Sequence, residues 1–288
     1  MVCSGCRGTL EKSALQPGGN ASLPLGMEHC CTARHILELV SRHADALESF
    51  FRTAAVKRRF LLEISVETLE AALAAQRGGA DRIELCGNLN IGGVTPSIAL
   101  MRAVRAQLRI PIFGMIRPRG GEFVYSEAEF AEMKSSIGEA KQAGMDGVVA
   151  GILTSEGSVD MERTRELVAM ARPLPLTFHR AFDDCGDLRR ALEEVIPTGA
   201  SRILTSGGAQ SALEGAAILA GLVAAAGNRI TIVPGAGISA SNIAMVVKET
   251  RAREFHSGLG TVLPYGSRDY ERFEAEVGKM TEQIARLP

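Results

Sequence analysis

From Phe60 onward the chain alternates two patterns. Short runs switch between apolar and polar residues, and longer runs repeat their apolar residues every three or four positions. The short runs are 60–65, 82–86, 111–117, 147–151, 175–179, 202–206, 230–234 and 253–257. They are rich in Ile, Leu, Val and Phe and predict β-strands. Helical runs separate them, among them "VETLEAALAAQRGG" at 66–79 and "SEAEFAEMKSSIGEAKQAG" at 126–144. The segments "GGAD", "AGMD" and "TGAS" mark the return from helix to strand. Eight βα units in about 225 residues predict a closed (β/α)8 barrel of the TIM type. An open doubly wound sheet would carry a glycine-rich turn after its first strand. Here that turn reads "SVETLE".

Residues 1–26 are rich in Gly, Ser and Pro and show no periodicity. Residues 32–57 place Ile36, Leu39, Val40, Ala44, Leu47 and Phe51 at helical spacing. The expectation is an N-terminal extension over 1–57, a loose segment followed by one helix, and a barrel domain over 58–288.

In a barrel one strand face packs on the helices and the other points into the lumen. The helix side must be apolar, so each strand can be oriented by parity. With Leu62 and Ile64 outward, Glu63 and Ser65 face in. With Ile83 and Leu85 outward, Glu84 and Cys86 face in. The same rule sends Phe113, Met115, Arg117, Thr177, His179, Glu254 and His256 inward. Most of these residues fall near the carboxyl ends of their strands, where barrel sites are built. Buried carboxylates need cationic partners. On a purely structural reading Glu63 and Glu84 pair with Arg117 and Arg180 and only plug the barrel; the cluster as a whole, with two acids, two arginines, a thiol and two histidines at one end, exceeds that need and favours function.

The loops add candidates. "RPRGGEFVYS" follows the third strand and offers Arg117 and Arg119 as an anion clamp. "HRAFDDCGD" follows the fifth, where Arg180 and Asp183 can orient His179 or hold a polar ligand. Thr205, Ser206 and Gly207 after strand six, Gly235 and Gly237 after strand seven, and His256 at strand eight complete an anion-binding set, because glycine lets backbone N–H groups approach a ligand. On residue chemistry alone, Glu63, Glu84, His179 and Asp183 are candidate acid–base groups of an enzyme, of lyase, isomerase or hydrolase type, acting on a small phosphorylated or carboxylated metabolite. No lysine lies on an expected strand, which argues against Schiff-base chemistry.

Composition narrows the partners. The chain has 288 residues, a formal net charge of −1 and no tryptophan, so neither a basic nucleic-acid surface nor an aromatic stacking platform is expected. No apolar run is long enough to span a bilayer, and the first twenty residues lack the pattern of a secretory signal. A cytoplasmic location is expected, where the six cysteines would be free thiols. "CSGC" at 3–6 and "HCC" at 29–31 are spaced too far apart to favour a zinc site. Cys185 has acidic neighbours, which raise a thiol pKa.

The ordered set "LLEIS…GADRIELC…GGVTPS…MIRPRGGEFVYS…LTFHRAFD…RILTSG…GAGI…EFHS", over roughly 60–260, resembles the CutC copper homeostasis family. The resemblance implies a (β/α)8 barrel, a cytoplasmic homo-oligomer (dimer or tetramer) and the binding of copper(I). It also implies ligands that are cysteines at the ends of strands one and two. Cys86 matches the second of these; the first is Ser65 here. Copper(I) is soft and prefers thiolate to hydroxyl, so His179 or His256 is expected to assist Cys86.

Overall fold

The structure is a computed structural model that describes residues 60–287. The expected N-terminal extension, with the helix at 32–57 and the cysteines at 3–31, lies outside the described residues. Eight strands run β1 (Leu61–Val66), β2 (Arg82–Leu85), β3 (Ile112–Met115), β4 (Gly147–Ala150), β5 (Leu176–Phe178), β6 (Arg202–Thr205), β7 (Thr231–Pro234) and β8 (Glu254–Ser257). Each overlaps one of the eight expected runs. All seven ladders are parallel, in the order β7-β6-β5-β4-β3-β2-β1-β8, and an α-helix follows each strand. β7 and β8 lie side by side without a ladder between them among the described residues, so the ring is nearly closed.

Local chemistry ends the elements where it must. The third strand stops at Met115 because the Arg117 amide leaves the sheet to donate to Thr95 Oγ1, at 2.9 Å. The helix Glu127–Gln142 starts at Ser126, whose hydroxyl accepts from the Glu129 amide while Glu129 accepts from the Ser126 amide. This reciprocal cap satisfies two donors that the first helical turn would otherwise leave open.

Leu62, Ile64, Ile83, Leu85, Ile112, Phe178 and Phe255 are fully buried between strands and helices. A second, smaller apolar cluster of Cys86, Phe113, Met115 and Val149 lies inside the ring. The register puts Glu63 beside both Arg82 and His256, Ser65 beside Glu84, and Glu84 beside Phe113. Gly147 on β4 is small because the Phe113 ring occupies the place its Cβ would take, at 2.6 Å.

Candidate functional site: a polar lumen with a cavity at its carboxyl end

The lumen is built in two layers. The lower one uses the first residues of three strands, Arg82, Arg202 and Glu254. Arg82 donates through Nε to Glu63 and through Nη2 to Glu254 at 2.8 Å. Arg202 Nε reaches the same Glu254 oxygen at 2.9 Å. Both guanidinium groups lie over the Phe113 ring, 4.7 and 5.2 Å from its centre. These contacts correct one sequence expectation: the partners of Glu63 are Arg82 and His256, not Arg117 or Arg180. Parity could have found Arg82, which stands two residues before Glu84 and therefore faces the same way.

The upper layer continues the chain of contacts. His256 Nδ1 donates to Glu63 Oε1 at 2.7 Å, and His256 Nε2 stands 3.8 Å from Glu84 Oε2. The Cys86 thiol donates to that same Glu84 oxygen at 3.4 Å. Glu84 Oε1 has no partner among the described residues. Glu63, Glu84 and His256 bring ligand atoms within 4.8 Å of one another, the only such group of His, Cys, Asp or Glu among the described residues. Two carboxylates and an imidazole are a harder donor set than copper(I) favours.

Burial and charge set the protonation states. Burial alone would raise the Glu63 carboxyl, but Arg82 and the bond from His256 outweigh it and hold Glu63 down at about 2. Burial raises Glu84, and the Glu63 charge adds to that; the His256 charge only partly opposes it. Burial would lower His256, but the two carboxylates beside it win and raise it. Burial, then Glu84, pushes the Cys86 thiol well above its ordinary range.

Above this layer opens a cavity of about 250 Å³ at the carboxyl ends of the strands. Ser65, Glu84, Arg117, His179, Arg180 and His256 are on its wall. His179 is buried. Its Nδ1 accepts from the Ala181 amide at 3.2 Å, so the neutral ring carries its proton on Nε2, which has no partner among the described residues. Burial and the Arg117 charge lower its pKa to about 3. Arg117 Nη1 donates to the carbonyls of Ile91, Gly92 and Gly93, and Nη2 donates to Gly121. Its guanidinium stacks on Phe123, 4.7 Å from the ring centre, and its Nε is left without a partner.

Other sequence candidates are placed elsewhere. Arg119 turns out to the surface, donating to Glu129 at 2.6 Å and to the carbonyls of Glu122 and Val124; it is not on the cavity wall. Asp183 does not orient His179. Its carboxylate takes donors from Thr205 Oγ1, the amides of Ser206 and Gly208, and Arg180 Nε. Thr205 and Ser206 are thereby fully buried, and neither they nor Gly207 line the cavity. Gly235 sits beneath the wall against Leu204 and His256, whereas Gly237 is on it. The Cys185 thiol is pushed up to about 11, first by burial and then by Glu194 and Asp184. Sequence reading also missed Tyr265, Thr261, Leu89 and Phe123, which complete the wall from loops that carry no periodic signal.

A nearly closed parallel barrel with a polar chain rising through its lumen to a cavity at the carboxyl end defines a (β/α)8 barrel protein. The family model described as "CutC family" matches residues 60–261. The chain is 48% identical over 197 residues to the "Copper homeostasis protein cutC homolog" of Homo sapiens, covering 68% of this chain and 72% of that one. It is 49% identical over 197 residues to a family protein CutC of Chromobacterium violaceum, covering 68% and 80%. The solved structure of a putative copper homeostasis protein CutC from Streptococcus agalactiae aligns with TM-score 0.66 and 34% identity, covering 69% of this chain and 98% of that one. Phosphoribosylanthranilate isomerase of Thermotoga maritima aligns with TM-score 0.54 at 14% identity, covering 79% and 100%, a likeness of fold alone. The chain belongs to the CutC family.

Proposed function

We propose that this chain acts in cytoplasmic copper homeostasis, as a homo-oligomer (dimer or tetramer), and takes up copper(I) between Cys86 Sγ and His256 Nε2. One observation carries the site: both atoms flank a single oxygen, Glu84 Oε2, at 3.4 and 3.8 Å. A thiolate and an imidazole are donors that copper accepts. The names of the human and mouse relatives support the cellular role. Ser65, on the neighbouring strand and also on the cavity wall, contributes only a hydroxyl, so affinity rests on one sulfur. The test is titration of reduced protein with copper(I) against a competing chelator. Cys86→Ala should weaken binding at least about tenfold, and Ser65→Cys should tighten it by a similar factor, roughly 1.4 kcal/mol each way. Equal, weak binding by wild type and Cys86→Ala would remove this reading.

A second reading is favoured by a different observation. Arg82, Glu63, His256 and Glu84 form one contact chain that ends at the cavity with an unpartnered carboxyl oxygen. Groups with opposed pKa shifts beside an enclosed pocket are the furniture of acid–base catalysis. On this reading the barrel is an enzyme for a small anionic metabolite.

A further inference from the structure

The cavity has a side that neither copper nor the acid–base chain uses. Part of its wall is made by the loops after β7 and β8, and Ala236, Gly237, Gly258, Gly260 and Thr261 stand on that wall. The backbone amides of these five residues donate to no acceptor among the described residues. Ala236, Gly237 and Gly258 are half-buried and Gly260 and Thr261 are exposed, so their open donors are free to meet an acceptor that enters the cavity. Ala236 holds φ at +80° and Leu259 at +54°, values that side chains other than glycine's rarely adopt. The backbone is thus held in a costly shape at this wall.

Side chains add positive charge and further donors. Arg180 is on the wall and half-exposed. His179 and Arg117, both more than nine-tenths buried, each carry a nitrogen proton with no partner, at Nε2 and Nε. Two of these three residues are permanent cations. No carboxylate other than Glu84 is on the cavity wall.

We propose that this cavity binds a small organic phosphate, with the phosphoryl oxygens on the amides of the β7 and β8 loops and Arg180, and the organic end toward His179 and Glu84. The donor count selects phosphate over carboxylate. Two carboxylate oxygens cannot engage five amides and a guanidinium, whereas the non-bridging oxygens of a phosphate can. A cavity of about 250 Å³ leaves room for only a few carbons beyond the phosphate. The polar groups at the far end suit hydroxyl or carbonyl oxygens. The proposal rests on the second reading only for calling the ligand a substrate.

Isothermal titration of the full chain with glycerol 3-phosphate, glycerate and glycerol separates the chemistries. Glycerol 3-phosphate should bind at least tenfold tighter than glycerate, and glycerol should not bind measurably. Arg180→Gln removes a cation whose partner Asp183 keeps its other donors, and should weaken glycerol 3-phosphate binding at least tenfold. Gly258→Ala places a methyl on the cavity wall within 3.0 Å of Ser65 Oγ and of the Tyr265 hydroxyl, both ends of side chains that can yield. It should weaken binding at least as much, with the urea midpoint of the folded protein unchanged. Glycerate binding as tightly as glycerol 3-phosphate, no phosphate binding, or binding indifferent to both variants would overturn the proposal. The titration reads binding alone, so a separate turnover assay that finds no conversion of the bound phosphate ester would sink the enzyme reading and leave the phosphate site standing.

Discussion

His179 shows how much a single buried side chain can decide. Its ring lies among Phe123, Phe178 and Arg117, with centroid distances of 4.9 and 6.3 Å to the two phenyl rings. Burial and the neighbouring cation hold its pKa at about 3, against an ordinary 6.5. The folded state therefore refuses a proton that the unfolded chain accepts. Stability tied to this residue is present in full above pH 6.5 and is lost as pH falls toward 3. The slope is roughly 1.4 kcal/mol per pH unit, or about 2 kcal/mol between pH 6.5 and 5. Glu63, held at about 2, adds its own loss only below its ordinary 4.5, and His256, with a raised pKa, works in the opposite sense. Comparing wild type with His179→Gln isolates the one slope. Urea denaturation at pH 7 and pH 5 should show the wild type losing about 2 kcal/mol more than the variant. Equal losses would show that His179 takes up its proton in the folded state.

Among elements, the decisive contacts are those that tie strands together through the lumen. Arg82 of β2 reaches Glu63 of β1 and Glu254 of β8, and Arg202 of β6 reaches Glu254 as well. Four strands thus share one ionic knot, with Arg82 and Glu63 almost wholly out of water. Such a knot gives little net stability when intact but is expensive to break, because the carboxylates left behind stay buried. Arg82→Met should cost about 3–5 kcal/mol in urea denaturation, and adding Glu63→Gln should recover part of that loss. A loss under about 1 kcal/mol would mean that the lumen admits enough water to solvate the acids. The parity of hydrophobic residues predicted which face of each strand turns inward, and in the structure the inward residues do converge. The pairing was another matter. Which arginine meets which carboxylate depends on the stagger between strands, and a sequence pattern of period two carries no information on stagger. Arg117, an inward residue by the same parity, caps the carbonyls of the loop at 91–93 instead of meeting the acids.

The ring has a seam. β7 is laddered only to β6 and β8 only to β1, whereas β1 to β6 each have ladders on both sides. Strand amides without a partner strand open more readily than those held on both edges. Native-state hydrogen exchange should therefore find the amides of β7 and β8 less protected than those of β2 and β3. Uniform protection around the ring would mean that the seam closes in solution. The seam lies between the two strands whose following loops carry the open amides of the cavity wall, so the least tied part of the sheet also borders the proposed phosphate site.

Apolar and polar alternation, helix spacing and the turn residues were enough to count eight βα units, to close them into a barrel and to turn Glu63, Glu84, Cys86, His179 and His256 into its lumen. The driving force there is burial of one strand face, which is written into the order of residues. The order of residues left open which polar groups would be consumed by one another. Asp183, Thr205 and Ser206 looked like site residues and are spent on one another across the loops after β5 and β6, and Arg119 is spent on Glu129. Ala236, Thr261 and Tyr265 looked like nothing and form the cavity wall. Hydrogen-bond partners are chosen by three-dimensional proximity, often between residues tens of positions apart. Only the folded chain decides which donors and acceptors remain free to meet a ligand.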